Sequence, residues 1–203
     1  MSVCYVVGAG ECKELNIEKK SDDILIAADA GLKHLEKAGV NPDYIIGDFD
    51  SLGKNPEGDN VTVLKPEKDI TDMQAAVDKG IESGFESFVL YGATGGRFDH
   101  TLANIQLIAS LASRGFEACI IDGKTVTRAI CNSRIDFSDE YSGYISVFAH
   151  SDICTGVTIN GLKYELENAE FKNIFALGVS NEFIGKESFI SVENGILIVH
   201  YDF

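Results

Sequence analysis

The sequence predicts an α/β protein, in which an N-terminal doubly wound, mainly parallel sheet is followed by a C-terminal antiparallel β-sandwich or barrel. Up to about residue 123, short apolar segments alternate with helical patterns. After about residue 125 the helical pattern disappears, and two Asn-Gly pairs stand between β-like segments. Alternating strands and helices are typical of parallel sheets, whereas Asn-Gly favours the tight turns of antiparallel hairpins. We therefore expect an α/β domain of residues 1–124 and a β-rich domain of residues 125–203.

The strands of the first region are predicted from apolar segments. Each segment is apolar along its whole length, which is typical of a parallel strand covered on both faces. The segments are Val3–Val7, Ile24–Ala28, Tyr44–Ile46, Val61–Leu64, Ser87–Tyr91 and Ala118–Ile121. Helices must lie between them to cover the sheet.

Three helices are predicted in that region. One follows Thr71, which forms a capping box with Gln74, and it ends near Gly84. A second covers about Thr101–Arg114, and a shorter one covers about Gly31–Lys37. His34 and Glu36, on the short helix, are expected to face solvent.

The second region is predicted to consist of strands. They are Ser142–His150, Gly156–Asn160, Leu162–Leu166 and Phe189–Tyr201. Asn160-Gly161 and Asn194-Gly195 each predict a hairpin, because a type I′ turn needs positive φ at both central residues. In the second hairpin, Ile190 and Val192 would face residues 196–199 across the turn.

Composition excludes several classes of protein. The 203 residues hold 17 Lys plus Arg and 32 Asp plus Glu, a formal net charge of −15, so we expect no nucleic-acid partner. No segment reaches the ~18 apolar residues of a membrane span, and the N-terminus lacks the features of a signal peptide. Five cysteines without a Cys-x-x-Cys pair are typical of reduced thiols. We therefore expect a cytoplasmic protein without a membrane partner.

Acidic and glycine-rich segments follow four predicted strands at their carboxyl ends, where ligands bind in open α/β sheets. These segments are 29–31, 47–51, 65 with 68–72, and 92–100. They hold six carboxylates, two lysines, one arginine and one histidine. Crowded carboxylates repel one another unless a cation joins them, and oxygen-only ligands favour Mg²⁺ or Ca²⁺. Gly8-Ala9-Gly10 also follows a strand, but Lys13 breaks the dinucleotide fingerprint.

The candidate metal ligands are Asp48, Asp50 and Asp72. Asp48 and Asp50 are two residues apart in a glycine-led turn, and Asp72 lies in the first turn of its helix. Arg97 and the lysines suit the charge of phosphate groups, and Gly95-Gly96 permits close backbone approach. The sequence therefore predicts a site for metal-bound polyphosphate and group transfer.

The order of motifs resembles the thiamine pyrophosphokinase family. The motifs are Ala-Asp-Ala-Gly at 28–31, Gly-Asp-Phe-Asp-Ser at 47–51, Lys-Asp-Ile-Thr-Asp at 68–72 and Gly-Gly-Arg-Phe-Asp-His at 95–100. Gly-Leu-Lys-Tyr at 161–164 and Val-Ser-Asn-Glu-Phe at 179–183 resemble the family's second domain. The resemblance implies transfer of a diphosphoryl group from ATP to the hydroxyl of thiamine, giving thiamine diphosphate and AMP, with Mg²⁺. It also implies a homodimer whose substrate site lies between subunits.

The resemblance also implies roles for individual residues. Asp48, Asp50 and Asp72 would bind the metal. The phosphates and the reacting hydroxyl would be framed by Asp29, Lys65, Lys68, Asp69, Thr71, Gly95, Gly96, Arg97, Asp99 and His100. Asp69, Asp72, Arg97 and Asp99 would be catalytic, with either Asp72 or Asp99 accepting the hydroxyl proton. Ser180 and Asn181 would contact thiamine, with Tyr164 as an aromatic neighbour.

Two other functions stay open from the residues alone. A pyrophosphokinase that uses a different acceptor, such as a hydroxymethyl-pterin, would have the same phosphate site. A non-catalytic nucleotide-binding module would keep the fold without the transfer reaction. Ser180-Asn181 favours thiamine over the pterin, and the intact set of carboxylates favours an enzyme over a sensor.

Overall fold

The computed structural model describes residues 2–12, 14–50, 53, 56–65, 67 and 69–203. The chain divides into two compact units, of which the first holds Met1–Leu107 with Ile120–Gly123 and the second holds Ile108–Cys119 with Lys124–Phe203. The division into an α/β domain of residues 1–124 and a β-rich domain of residues 125–203 stays a prediction. Lys68, Ser51 and Lys13 lie outside the described residues.

The first unit is built on parallel strands. Its elements are β1 (Val3–Val7), β2 (Ile24–Ala28), α1 (Gly31–Ala38), β3 (Tyr44–Gly47), β4 (Val61–Val63), α2 (Asp72–Glu82) and β5 (Ser87–Tyr91). Helix α3 (Phe98–Ser113) and strand β6 (Glu117–Asp122) belong in part to each unit. Strands β5, β1, β2, β3 and β4 pair in that order, and every one of these pairs is parallel. Their carboxyl ends therefore meet at one edge.

Helices cover both faces of this sheet, as a doubly wound fold requires. Leu35 of α1 packs in one cluster with Val7 and Leu25. Gly80 of α2 instead lies against Cys4 and Phe88, where an added Cβ would come within 2.8 Å of the Cys4 Sγ. Successive residues of a strand point to opposite faces, so α1 and α2 lie on opposite faces. The predicted doubly wound arrangement is confirmed.

The helix signals were correct in part. Thr71 caps α2 as predicted, because its Oγ1 accepts a hydrogen bond of 3.1 Å from the backbone N–H of Gln74. In a capping box the Gln74 side chain would also bond back to the Thr71 backbone. That part of the prediction is wrong, since the Gln74 side chain donates to Asp78 at 2.8 Å instead. Helix α3 begins at Phe98, which brings Asp99 into its first turn, where the helix dipole favours a carboxylate.

The second unit is antiparallel. Its strands are β7 (Thr125–Cys131), β8 (Arg134–Phe137), β9 (Tyr144–Ala149), β10 (Ile153–Asn160), β11 (Leu166–Lys172), β12 (Gly178–Glu182), β13 (Ser188–Ser191) and β14 (Ile196–Asp202). They pair in the orders β12-β9-β14-β7 and β11-β10-β13-β8. Phe137 of β8 and Tyr201 of β14 meet edge to face, with ring centroids 5.0 Å apart, across the two sheets. The predicted β-sandwich is confirmed.

The predicted hairpin at Asn194-Gly195 is wrong. Strand β13 pairs with β10 and β8, whereas β14 pairs with β7 and β9, so Ile190 and Val192 do not face residues 196–199. The Asn-Gly pair lies where the chain passes from one sheet to the other. The Gly195 N–H donates to Asn132 Oδ1 at 2.8 Å, and Asn132 lies where β7 gives way to β8. This hydrogen bond joins the β7–β8 and β13–β14 connections, in both of which the chain passes from one sheet to the other.

The first Asn-Gly pair does connect antiparallel neighbours, β10 and β11, but through a longer loop. Ile159 pairs with Leu166, so residues 161–165 form the connection and the predicted strand Leu162–Leu166 is wrong. The reason is that Leu162 is buried and forms a bridge to Phe183 rather than pairing with β10.

The cysteines and the helices bear on the expected location. All five cysteines are free, with Cys4 and Cys154 buried and the other three half-buried. Burial raises the pKa of the Cys4 thiol to about 12, so this thiol stays protonated. In the described part of the chain, no helix has the length and apolarity needed to cross a membrane.

We expect Asn132→Ala to lower the free energy of unfolding by about 1–2 kcal/mol, because it removes the bond to Gly195 and places alanine at a left-handed φ of 48°. Asn132→Gly removes the same bond but tolerates that φ, so it should destabilise less. Thermal unfolding of both variants tests the prediction. Equal melting temperatures for the wild type and both variants would contradict the proposed role of this sheet switch.

Candidate active site

The loops that follow β1 and β5 lie directly against each other. The Gly10 N–H donates to the Gly92 carbonyl at 2.8 Å, and the Glu11 N–H donates to the Thr94 carbonyl at 2.8 Å. An added Cβ on Gly10 would lie 2.3 Å from the Thr94 oxygen, and one on Gly92 would lie 2.4 Å from the Gly8 oxygen. Only glycine permits this approach. The Gly8-Ala9-Gly10 segment, which lacks the dinucleotide fingerprint, is therefore part of a cavity wall.

A cavity of about 520 Å³ opens at this edge of the first unit. Predicted site residues that line it are Asp29, Thr71, Asp72, Gly95, Gly96, Arg97 and His100. Residues that line it without having been predicted as site residues include Gly8, Gly10, Glu11, His34, Met73 and Asn104. The loops after β1, β2 and β5 and the start of α2 thus converge on one space. The described residues of the segment after β3, which was also expected there, do not line this cavity.

His34 does not face solvent, and that expectation is wrong. Its Nε2 lies 2.8 Å from the Gly10 carbonyl, and the side chain is half-buried. His34 is three residues after Gly31, and an added Cβ on Gly31 would lie 1.9 Å from the Val7 carbonyl. Residues three apart share a helix face, so this spacing was the signal that places His34 against the first loop. Glu36 is exposed, as expected.

Asn104 is a buried amide that sequence reasoning missed. Its Nδ2 donates to the Ala93 carbonyl at 2.7 Å, inside the loop that carries Gly95 and Gly96. Asn104 is four residues after His100 on α3, so both belong to the helix face that lines the cavity. The same loop is held a second time, because the Thr94 hydroxyl bonds to Asp122 at 2.7 Å. The loop is therefore fixed on two sides.

The loops that carry Asp29 and Asp48 are neighbours. The Asp29 N–H donates to the Ile46 carbonyl at 2.8 Å, and an added Cβ on Gly47 would lie 2.9 Å from the Asp29 Cα. Asp29 has a left-handed φ of 48°. Asp48 is half-buried, and its Oδ1 accepts the N–H of Asp50 at 3.3 Å. These bonds turn the chain sharply directly after β3.

Of the three candidate metal ligands, Asp72 lines the cavity, whereas Asp48 and the exposed Asp50 lie in the loop after β3. Across the residues that the structure describes, no three His, Cys, Asp or Glu side chains converge closely enough to hold a metal ion. Lys65 and Asp69 are exposed and do not line the cavity.

Arg97 and Asp99 form an exposed bidentate ion pair. The Arg97 Nη2 lies 2.6 Å from Asp99 Oδ2, and its Nε lies 3.2 Å from Oδ1. The hydrogen bond from Arg97 lowers the pKa of the Asp99 carboxyl, and the same bond raises the pKa of Arg97. Arg97 lines the cavity and Asp99 does not. Asp99 is thus a weaker proton acceptor than an unpaired aspartate, and it orients the guanidinium.

The candidate thiamine residues lie within the second unit. Asn181 is buried and hydrogen-bonds both the N–H and the carbonyl of Tyr164, whose side chain is exposed. Ser180 is exposed with a left-handed φ of 60°, and its N–H donates to Ser146 Oγ at 3.1 Å. Lys163 Nζ lies 2.7 Å from Glu182 Oε1, and this bond raises the pKa of Lys163.

Comparison with known proteins identifies both parts of the chain. Residues 15–120 match the family model "Thiamin pyrophosphokinase, catalytic domain", and residues 132–197 match "Thiamin pyrophosphokinase, vitamin B1 binding domain". The chain belongs to the thiamin pyrophosphokinase family. A thiamine pyrophosphokinase of Bacillus subtilis (strain 168) is 32% identical over 181 residues, which are 86% of this chain and 85% of that protein.

Solved structures of the family have the same fold. The crystal structure of thiamine pyrophosphokinase from Bacillus subtilis has a TM-score of 0.85 at 28% identity and covers 100% of this chain and 99% of that one. The structure from Geobacillus thermodenitrificans has a TM-score of 0.83 at 29% identity, with 100% and 98% covered. The predicted family, the predicted fold class and the prediction of a thiamine diphosphokinase enzyme are confirmed.

We expect Asn104→Ala to weaken ATP binding about tenfold, because a lost buried hydrogen bond of about 1.4 kcal/mol corresponds to that factor. The loop that carries Gly95, Gly96 and Arg97 loses one of its two anchors. Gln106→Ala, at an exposed position of the same helix, is the matched control. Calorimetric titration with ATP measures both variants. Wild-type affinity in Asn104→Ala would remove the anchoring role.

Proposed function

We propose that this chain transfers the terminal diphosphoryl group of ATP to the hydroxyl of thiamine, releasing AMP, and that it does so in the cytoplasm. The observation that carries the proposal is the cavity at the carboxyl edge of the parallel sheet, where Asp72, Arg97 and Gly95-Gly96 face one space. Membership of the thiamin pyrophosphokinase family supports ATP as the donor and thiamine as the acceptor. Five free thiols are typical of a reducing compartment.

The cavity suits a nucleoside triphosphate. Its volume of about 520 Å³ falls within the range of roughly 300–1,000 Å³ for small-molecule sites. Gly95 and Gly96 both have left-handed φ values, of 76° and 60°. Such turns direct successive N–H groups to one side, where they bind anions, and Arg97 adds a guanidinium group beside them. In this proposal Gly95, Gly96 and Arg97 hold the phosphates, and His100 and Thr71 border them.

Mg²⁺ fits the donor chemistry of this edge. Asp48, Asp50 and Asp72 supply only oxygen atoms, which Mg²⁺ prefers, and Mg²⁺ typically takes one or two carboxylates together with substrate phosphates and water. A site of that kind needs no cluster of three protein ligands. When bound, the ion would neutralise charge on the polyphosphate. We propose Asp72, together with the Asp48–Asp50 pair, as its protein ligands.

The ion pair of Arg97 separates the roles of the candidate catalytic carboxylates. Asp99 has a lowered pKa because Arg97 bonds to it, and it does not line the cavity. We assign Asp99 the orientation of Arg97, and Asp72 the position next to the reacting hydroxyl. Asp29 borders the cavity, and the exposed Asp69 and Lys65 lie outside it. From these positions, Asp69 and Lys65 would influence the substrate through electrostatic interactions at a distance.

A homodimer with the substrate site between subunits is part of the proposal. The connection between β11 and β12 exposes the large apolar side chains of Ile174, Phe175 and Leu177, and Val179 in β12 is exposed as well. Ile174 is 88% exposed and Phe175 is 67% exposed. Contiguous exposed apolar patches are typical of interfaces between proteins, and β12 lies at the edge of its sheet. A second copy of the chain is the proposed partner.

Incubation with ATP, Mg²⁺ and thiamine, followed by chromatography for thiamine diphosphate and AMP, tests the reaction. We expect Asp72→Asn and Asp50→Asn each to lower turnover at least ~100-fold, a loss of roughly 2.7 kcal/mol of transition-state stabilisation. Asp139→Asn, at an exposed carboxylate of the second unit, is the control and should keep wild-type turnover. Near-normal activity of both site variants at saturating Mg²⁺ would refute the metal assignment, and product formation with a hydroxymethyl-pterin alone would refute the acceptor.

We expect Phe175→Asp to convert the dimer to a monomer and to abolish activity, because a charge on the apolar patch cannot be buried without a large desolvation cost. Ser142→Asp adds the same charge at an exposed position elsewhere in the unit and should leave the dimer intact. Light scattering coupled to size exclusion measures the mass of each variant. A dimer of unchanged mass in Phe175→Asp would place the interface elsewhere.

A further inference from the structure

We propose that Asn181 is a positioning residue, whose amide holds the backbone of Tyr164 and thereby orients the tyrosine ring toward thiamine. The expectation from the sequence was a direct contact between Asn181 and thiamine. The inference rests on the proposed function, because it takes Tyr164 as the aromatic neighbour of the substrate. It assigns Asn181 a role that acts through a second residue.

Burial leaves Asn181 little access to a ligand. The residue is only 4% exposed, and buried amides need hydrogen-bond partners within the protein. Its Oδ1 accepts the N–H of Tyr164 and the N–H of Glu182, both at 2.9 Å, and its Nδ2 donates to the Tyr164 carbonyl at 2.7 Å. Both lone pairs of the oxygen and one of the two amide hydrogens are thereby used.

The two bonds to Tyr164 imitate the pairing of a β-strand. Tyr164 lies in the 161–165 connection, outside β10 and β11, so no ladder fixes its backbone. The preceding residues are held at the end of β12, since the Lys163 N–H donates to the Glu182 carbonyl at 3.0 Å and Leu162 bridges to Phe183, the residue after the strand. The Asn181 amide extends this attachment by one residue. It fixes both the donor and the acceptor of the Tyr164 backbone.

The ring that is held in this way faces solvent. Tyr164 is 58% exposed, which leaves most of the ring for a ligand. Lys163 Nζ lies 5.5 Å from the ring centroid and is itself bound by Glu182 at 2.7 Å. The Lys163 ammonium thus already occupies one face of the ring. The cationic thiazolium of thiamine is therefore directed to the other face of Tyr164, which makes the orientation of the ring decisive.

A fluorescent reporter separates positioning from contact. The chain contains no tryptophan, so Tyr164→Trp supplies a single reporter at this position. In the free protein, we expect Asn181→Ala to lower the fluorescence anisotropy of that reporter, because the backbone on which it stands is released. Asn181→Asp replaces the donor by a carboxylate oxygen that faces the Tyr164 carbonyl, so it should lower the anisotropy as well. Unchanged anisotropy in both variants would overturn the proposal.

Kinetics give the second test. Asn181→Ala should raise the KM for thiamine about tenfold with the KM for ATP unchanged, and Tyr164→Ala should raise it by at least as much. In the double variant the effects should not add, since Asn181 acts through the ring that has been removed. Additive effects would mean a direct contact and would overturn the proposal. If the wild type forms no thiamine diphosphate, the proposed function fails, while the anisotropy of the free protein still tests the positioning role.

Discussion

The candidate site depends on one backbone contact, the approach of the loop after β1 to the loop after β5. The carbonyl oxygens of Gly92 and Thr94 lie so close to Gly10 that a Cβ on residue 10 would clash with both. The two loops can therefore meet only because glycines occupy the positions of contact. This contact continues the β1–β5 pairing beyond the sheet. It shapes the cavity wall, and the anchors from Asn104 and Asp122 hold the second loop against the first.

Electrostatics explain why this edge of the sheet can hold so many acidic groups. In a chain with a net charge of −15, carboxylates after neighbouring strands repel one another unless each has a partner. Asp99 is bound by Arg97, and Asp48 accepts a backbone N–H, so both carboxylates are stabilised within the chain. Asp72 lies beside the positive end of the α2 dipole. A cation bound to a polyphosphate would offset the negative charges that face the cavity.

Local patterns allowed most of the fold to be predicted, and non-local pairing accounts for the errors. Strands β1, β2 and β5 have the predicted bounds because burial on both faces leaves a continuous apolar segment. The error at Asn194-Gly195 arose because an Asn-Gly turn has the same local requirement whether the strands that it joins share a sheet or not. His34 and Asn104 were missed for a related reason. Each takes its role from a carbonyl on a distant loop, and only the helix spacing from Gly31 or His100 signalled it.

A family motif identifies residues near a substrate, but it does not separate those that contact the substrate from those that support the contact. In Ser180-Asn181 the motif treats two neighbours alike, whereas the structure distinguishes them. Ser180 is exposed, while Asn181 is buried and its oxygen accepts two backbone N–H groups. A group whose hydrogen-bonding capacity is already used inside the protein can bind a ligand only by giving up a bond that the fold needs. The hydrogen bonds of a buried amide thus favour a positioning role, a distinction that the motif alone does not make.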